Sequence, residues 1–133
     1  MTEGEHQRVV RAKAAAGDAD PIARCHLVHD DFFAVVAREP TRIYDAILID
    51  IDHSPDFLLA PANARFSEQG GLQKIRAHLR PGGVLAYWSA DPIDEGFLAR
   101  ARAVFRSAET ELVEFYNPFL SQDDTNTLLI AKV

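Results

Sequence analysis

A run of four apolar residues, 46–49, ends abruptly in the polar sequence Asp50-Ile51-Asp52-His53. An uninterrupted apolar run of this length between polar residues is typical of a strand that is buried on both faces of a sheet. Asp50 and Asp52 would then lie at or just beyond the carboxyl end of that strand. Ligands bind at this edge in open parallel sheets. The run therefore predicts both a buried strand and the position of a site.

Helical and strand patterns alternate along the rest of the chain. The helical patterns cover residues 5–16, 31–39, 67–80 and 92–105, and the strand patterns cover residues 24–29, 44–50, 84–88, 112–116 and 127–131. This alternation predicts a mostly parallel sheet with helices on both faces, and the last two strands, joined by about ten residues, add an antiparallel hairpin. The predicted fold class is α/β of the doubly wound kind. Residues 1–20 are expected to form an N-terminal helix and linker, and residues 21–133 the domain.

Composition and charge narrow the cellular setting and the partners. The chain has 133 residues, of which 47% are apolar and 26% charged, as expected for one globular domain. A net charge of -6 argues against nucleic acid and anionic membranes as partners, and no apolar run approaches the roughly 20 residues of a membrane span. A single cysteine, Cys25, and an N-terminal stretch without an apolar signal core predict a reducing, cytoplasmic location.

Three stretches carry a resemblance to a known superfamily. Asp50 at the end of its strand, followed by LRPGGVLA at residues 79–86, is similar to the second half of class I S-adenosylmethionine-dependent methyltransferases. Within that superfamily, RFSEQGGL at residues 65–72 followed by VLAYWS at residues 84–89 looks most like the spermidine synthase-like proteins. Those enzymes transfer an aminopropyl group from decarboxylated S-adenosylmethionine to an amine. The resemblance covers about residues 22–133 and implies a truncated Rossmann-like transferase fold.

The resemblance also implies roles for individual residues. Asp30, with its neighbour Asp31, matches the aspartate that bonds the adenine amino group of S-adenosylmethionine or its decarboxylated form. Asp50 matches the strand-end acid that helps to deprotonate the attacking amine, and a carboxylate can both attract an ammonium group and accept its proton. Further candidates for contacts to the amine or other nucleophilic acceptor follow the two strand ends: Asp52, His53, Trp88 and Ser89. Asp30 and Asp50 also have a purely structural interpretation, as caps of a loop or of the next helix.

The sequence departs from the family where the cofactor should be held. These folds normally begin with a strand and a glycine-rich loop that lets the backbone approach the cofactor, but Gly4 and Gly17 are isolated here. The first two strands of the family are absent, and His53 stands where synthases carry a second acid. These departures predict reduced or absent catalysis in this chain. The alternative is a non-catalytic relative that forms a homodimer through an exposed sheet edge.

A second resemblance concerns the same strand end. IDIDHS at residues 49–54 looks like the Asp-x-Asp-His-Ser signature of metal-assisted O-methyltransferase-like proteins. Asp50, Asp52 and His53 offer oxygen and imidazole ligands for a divalent cation. However, Ser89 stands at the end of the next strand, where a later acid would complete such a site. No bound metal is therefore expected, and the O-methyltransferase interpretation remains the lesser alternative.

Overall fold

The structure, a computed structural model, describes residues 24–50 and 66–133. The chain divides into two compact units, Met1–Asp31 and Phe32–Val133. In the first unit, residues 24–31 form neither a helix nor a strand, so the strand predicted at residues 24–29 is wrong. The predicted helix at residues 5–16, and the candidate residues Asp52 and His53, lie outside the described residues.

The described part of the second unit contains three helices and one four-stranded sheet. In chain order the elements are α1 (Phe32–Ala37), β1 (Tyr44–Asp50), α2 (Gln69–Ala77), β2 (Leu79–Ser89), α3 (Glu95–Val104), β3 (Ser107–Asn117) and β4 (Gln122–Lys132). The strand order is β1-β2-β4-β3. Only β1 and β2 run parallel, whereas β2 with β4 and β3 with β4 are antiparallel. The α/β class is confirmed, but the prediction of a mostly parallel sheet is wrong. Two of the three strand pairs are antiparallel, because the hairpin strand β4 pairs with both β2 and β3.

One face of the sheet, the core face, carries the strand residues that pack into the hydrophobic core. Tyr87 lies at its centre, with ring centroids 5.8 Å from Phe66 and 5.6 Å from Phe97. The core-face residues that are buried are Ile49, Leu85, Tyr87, Ala108, Leu129 and Ala131. All three described helices contribute side chains to this same cluster. The predicted layer of helices on a second face is therefore not found within the described part of the chain.

Strand β1 is confirmed at the predicted place, but its burial on both faces is not. Ile49 on the core face is 4% exposed, whereas Leu48 on the opposite face is 77% exposed. Successive strand side chains point to opposite faces, and no described strand pairs with the outer edge of β1. Among the described residues, the apolar run thus forms an edge strand with one buried face.

The Pro81-Gly82-Gly83 sequence, which separates the helical pattern at residues 67–80 from the strand pattern at residues 84–88, lies inside β2. The pairing of β1 with β2 shifts register there, from Tyr44 opposite Leu79 to Ala46 opposite Val84. Gly82 adopts a φ of 78°, a conformation that L side chains rarely take. The Gly82 amide donates to the Val133 carbonyl at 3.2 Å, and the Val133 amide donates to the Gly83 carbonyl at 2.9 Å. The glycines therefore form a bulge that is bonded to the residue following β4.

Gly83 is expected to tolerate no side chain. A Cβ at Gly83 would lie 2.8 Å from the Arg80 carbonyl oxygen and 3.2 Å from that of Asp45, both backbone atoms. We expect Gly83→Ala to lower the free energy of unfolding by roughly 1–3 kcal/mol, because backbone must move to relieve the contact. Urea unfolding followed by circular dichroism measures the change.

Gly70 provides the matched control for that substitution. It lies in α2, and a Cβ there would meet nothing within 4 Å. Gly70→Ala should therefore raise stability by about 0.5–1 kcal/mol, through the helix preference for alanine. Equal stabilities for Gly83→Ala and the wild type would contradict the close approach at the bulge.

The β3–β4 hairpin is longer than predicted, and its turn is shorter. Residues 118–121 connect the strands, and the Asn117 side chain organises them: its Oδ1 accepts from the Phe119 amide at 3.0 Å and its Nδ2 donates to Asp124 Oδ2 at 3.0 Å. The Thr125 amide donates to Asp124 Oδ1 at 2.8 Å. The hydrogen bond from Asn117, followed by that from Thr125, lowers the pKa of Asp124 below its ordinary value.

Candidate functional site

Asp50 and Trp88 lie side by side at the carboxyl ends of the two parallel strands. Asp50 is the last residue of β1, and its partner across the ladder is Trp88 of β2. Their neighbours Ile49 and Tyr87 are buried on the core face, so alternation places both Asp50 and Trp88 on the opposite face, here called the outer face. Asp50 is exposed and Trp88 half-buried. The structure thus brings together two of the residues that the sequence singled out.

Asn126 extends this pair onto the next strand. Trp88 faces Leu128 of β4, so Asn126, two residues earlier, lies on the same outer face. With its amide oriented to accept, Asn126 Oδ1 receives the Trp88 indole N–H at 3.0 Å, while its nitrogen donates to the Thr125 carbonyl at 3.1 Å. The hydrogen bond fixes the orientation of the indole at the carboxyl end of β2. Asn126 was missed by sequence reasoning because only the register of β4 against β2 places it beside Trp88.

Ser89, predicted to contact the acceptor, does not join this group. It follows Trp88 and therefore points to the core face, where it is only 1% exposed. Its Oγ accepts from the Asp91 amide at 3.2 Å. The hydroxyl group thus stabilises the turn that follows β2. Ser89 lies on the core face, whereas Asp50 lies on the outer face, so the two side chains do not meet.

The other predicted residues belong to different parts of the chain. Asp30 and Asp31, assigned by resemblance to the adenine group, lie in the unit Met1–Asp31. Asp30 is exposed, and its Oδ1 accepts from the Asp31 amide at 2.8 Å, a local bond of the turn type. Of the Asp-x-Asp-His-Ser signature, the structure describes Asp50 alone.

The described residues do not form a cradle for an adenosyl cofactor. Such a cradle needs a glycine-rich loop that lets the backbone approach the ligand. Gly70 and Gly71 lie inside α2 rather than in a loop, and Gly82 and Gly83 lie at the end of β2 remote from Trp88. Gly96 opens α3, but the space beside it is taken, because a Cβ there would lie 2.9 Å from Asp94 Oδ1 and 3.2 Å from Arg100 Nη1. The described part of the chain therefore does not fit the cofactor that the resemblance implies.

What the outer-face edge does offer is a setting for a positively charged group. The Asp50 carboxylate supplies a full negative charge, and an indole face attracts a cation placed within about 6 Å of it. Neighbouring strands are about 4.8 Å apart, and the indole N–H is directed to Asn126 on β4, on the side of β2 away from β1. A ligand that touches both side chains therefore extends from Asp50 across β2. An ammonium group held there has a carboxylate ready to accept its proton.

Comparison with known proteins reveals the fold. No protein-family model and no curated protein matches the chain. Among solved structures, human methyltransferase-like protein 13 in complex with SAH superposes with a TM-score of 0.64 at 20% identity, over 98% of this chain and 58% of that one. A probable spermidine synthase from Corynebacterium glutamicum gives a TM-score of 0.58 at 21% identity, over 95% of this chain and 44% of that one.

The chain spans less than two thirds of the length of either protein. None of the helices in the described ranges is long and apolar enough to cross a membrane. At these identities the likeness concerns the fold alone, and this chain has a methyltransferase-like fold.

Proposed function

We propose that this chain is a transferase-related protein that supplies the acceptor side of an S-adenosylmethionine-type reaction, with an amine as the acceptor. The observation that carries the proposal is the pairing of Asp50 with Trp88 at the carboxyl edge of the parallel strands. The likeness to a methyltransferase-like protein and to a probable spermidine synthase supports the reaction class. The chemistry of the two side chains supports the acceptor class.

Asp50 has two tasks in this proposal. Its negative charge attracts the ammonium form of the acceptor, and its carboxylate oxygen takes a proton so that the nitrogen lone pair becomes available for attack. Trp88, held by Asn126, provides the wall against which the aliphatic part of the amine packs. No step is assigned to the cofactor, because the described residues do not form its cradle.

Isothermal titration tests the proposal and separates an enzyme from a non-catalytic relative. An aliphatic diamine is expected to bind the whole chain, and its failure to bind would contradict the acceptor site. S-adenosylmethionine, its decarboxylated form and methylthioadenosine are titrated separately. Binding of any of these supports a complete transferase. If the diamine binds and none of the three does, the acceptor site stands and the chain by itself is not the enzyme.

The second candidate function, a dimerising structural module, is favoured by the outer edge of β1. Leu48 is 77% exposed on this strand, and no described strand pairs with the edge beyond it. Exposed strand edges carry unpaired backbone groups that readily pair with another chain. Light scattering coupled to size exclusion would reveal a homodimer, and a well-folded monomer at all concentrations would contradict this candidate.

A further inference from the structure

The β3–β4 hairpin carries most of the net charge of the chain. The hairpin, residues 107–132, contains five carboxylates, on Glu109, Glu111, Glu114, Asp123 and Asp124, and one cationic side chain, that of Lys132 at the end of β4. The whole chain has a net charge of -6, so the hairpin, with a net charge of -4, accounts for four of the six charges. The hairpin is thus a concentrated acidic element on an otherwise nearly neutral protein.

The distal half of the hairpin stands apart from the rest of the sheet. Strand β2 ends at Ser89 opposite Thr127, so in the described part of the chain residues 113–117 pair only with residues 122–126. No described residue pairs with the outer edge of β3. A two-stranded ribbon is marginally stable in water, and a third strand along β3 would stabilise it.

Large apolar side chains are exposed on the same ribbon. Leu112 is 63% exposed and Tyr116 61%, and at the turn Phe119 is 95% and Leu120 59% exposed. Because strand side chains alternate, Leu112, Glu114 and Tyr116 share one face, and the register places Asp123 opposite Tyr116. Apolar and acidic side chains are therefore interleaved on one surface, the hairpin surface, which consists of these residues together with Phe119 and Leu120. Exposed apolar patches with polar rims mark interaction sites.

Charge decides between the possible occupants. A second copy would bring five carboxylates against five, and nucleic acid or an anionic membrane would be repelled in the same way. A polypeptide with lysine or arginine side chains between apolar ones satisfies both the acidic and the apolar residues. It also supplies the backbone groups that the outer edge of β3 can pair with.

We propose that the hairpin surface docks an extended basic polypeptide segment, which adds to the sheet as a strand along β3. Glu109 and Glu111 are exposed on the face of β3 opposite to that of Leu112 and Tyr116. Lysine or arginine side chains on one face of the segment pair with these two glutamates, and apolar side chains on its other face cover Leu112 and Tyr116. This interaction is independent of the amine site at Asp50, and either can exist without the other.

Fluorescence anisotropy with a labelled eleven-residue peptide of alternating lysine and valine tests the proposal. The whole wild-type chain is expected to bind this probe, and to ignore the same peptide with glutamate in place of lysine. The double variant Glu109→Gln/Glu111→Gln should bind roughly five- to tenfold more weakly, as expected for the loss of two exposed ion pairs. Tyr116→Ser should also weaken binding.

The matched control is the double variant Glu39→Gln/Glu68→Gln, which changes the net charge equally at exposed positions outside the hairpin. It should retain the affinity of the wild type. Equal losses in both double variants would overturn the proposal, since binding would then follow net charge alone. A dimer of the wild type that Tyr116→Ser dissociates would also overturn it, by assigning the surface to a second copy.

A measurement on the unchanged protein covers the case in which a hairpin variant fails to fold. In NMR spectra of the wild-type chain, the backbone amide signals of β3 should shift when the lysine–valine peptide is added, because the new strand pairs with these amide groups. Shifts confined to residues outside β3 and β4 would overturn the proposal.

Discussion

Asp50→Asn is expected to lower the rate of transfer to an amine acceptor by roughly 100-fold or more, the usual effect of losing a general base. Asparagine keeps the shape of the side chain but can neither attract the ammonium group by charge nor accept its proton. Asp50 is exposed at the end of β1, so the loss should appear in activity without a loss of fold. The measurement is kcat/KM for the amine, with circular dichroism to verify folding.

Asp45→Asn on the same strand is the control for this substitution. The Asp45 carboxylate is 81% exposed and forms an ion pair with Arg80, at the opposite end of β1. The Asp45→Asn substitution should leave kcat/KM for the amine within about twofold of the wild-type value, because exposed ion pairs contribute little to stability. Equal rates for Asp50→Asn and the wild type would remove Asp50 from the reaction. A wild type that neither transfers to the amine nor binds the diamine would contradict the proposal itself.

Phe97→Ala is expected to reduce the free energy of unfolding by roughly 3–5 kcal/mol. Phe97 is 1% exposed, contacts Tyr87 edge to face at an interplanar angle of 81°, and lies 5.9 Å from the Arg100 guanidinium carbon. Its removal leaves a cavity between α3 and the core face of the sheet, which the rigid strand backbone cannot fill. Urea unfolding gives the midpoint and the slope from which the change is calculated.

Phe119→Ala separates burial from residue type. Phe119 is the same amino acid but is 95% exposed at the hairpin turn, so its loss should change stability by no more than about 0.5 kcal/mol. A loss of less than about 1 kcal/mol in Phe97→Ala would mean that the core closes around the cavity. That result would contradict the tight aromatic packing around Tyr87.

The sequence could predict the elements that depend on local pattern. The apolar run at residues 46–49 gave the correct strand, because an uninterrupted apolar run of this length between polar residues was sufficient to identify it. It could not reveal how many neighbours the strand has, and this is why the full burial expected for Leu48 is not observed. The same limit applies to His78, which the helical pattern at residues 67–80 includes. It directly follows α2 and is only 4% exposed, with Nδ1 2.8 Å from the Lys74 carbonyl oxygen.

Features that depend on distant partners escaped the sequence. The glycines at 82 and 83 signalled a turn, yet they form a bulge because Val133 pairs with them. Helix α3 begins at Glu95, with Asp94 Oδ1 accepting from the Phe97 amide at 2.7 Å, rather than near the proline that follows Asp91. At the site, Trp88 was predicted from its place at a strand end. Ser89, predicted on the same ground, points to the opposite face of the sheet, because successive side chains of a strand alternate between faces.

The two ends of the sheet differ in how far apart their partners lie along the chain. Strands β3 and β4 are separated by four residues, whereas 28 residues lie between the end of β1 at Asp50 and the start of β2 at Leu79. Closing the longer loop costs more chain entropy, and hairpins form within microseconds. The hairpin and α3 should therefore assemble first and β1 last. In the folded protein β1 should also detach most easily, and a ligand that bridges Asp50 and Trp88 would hold it in place.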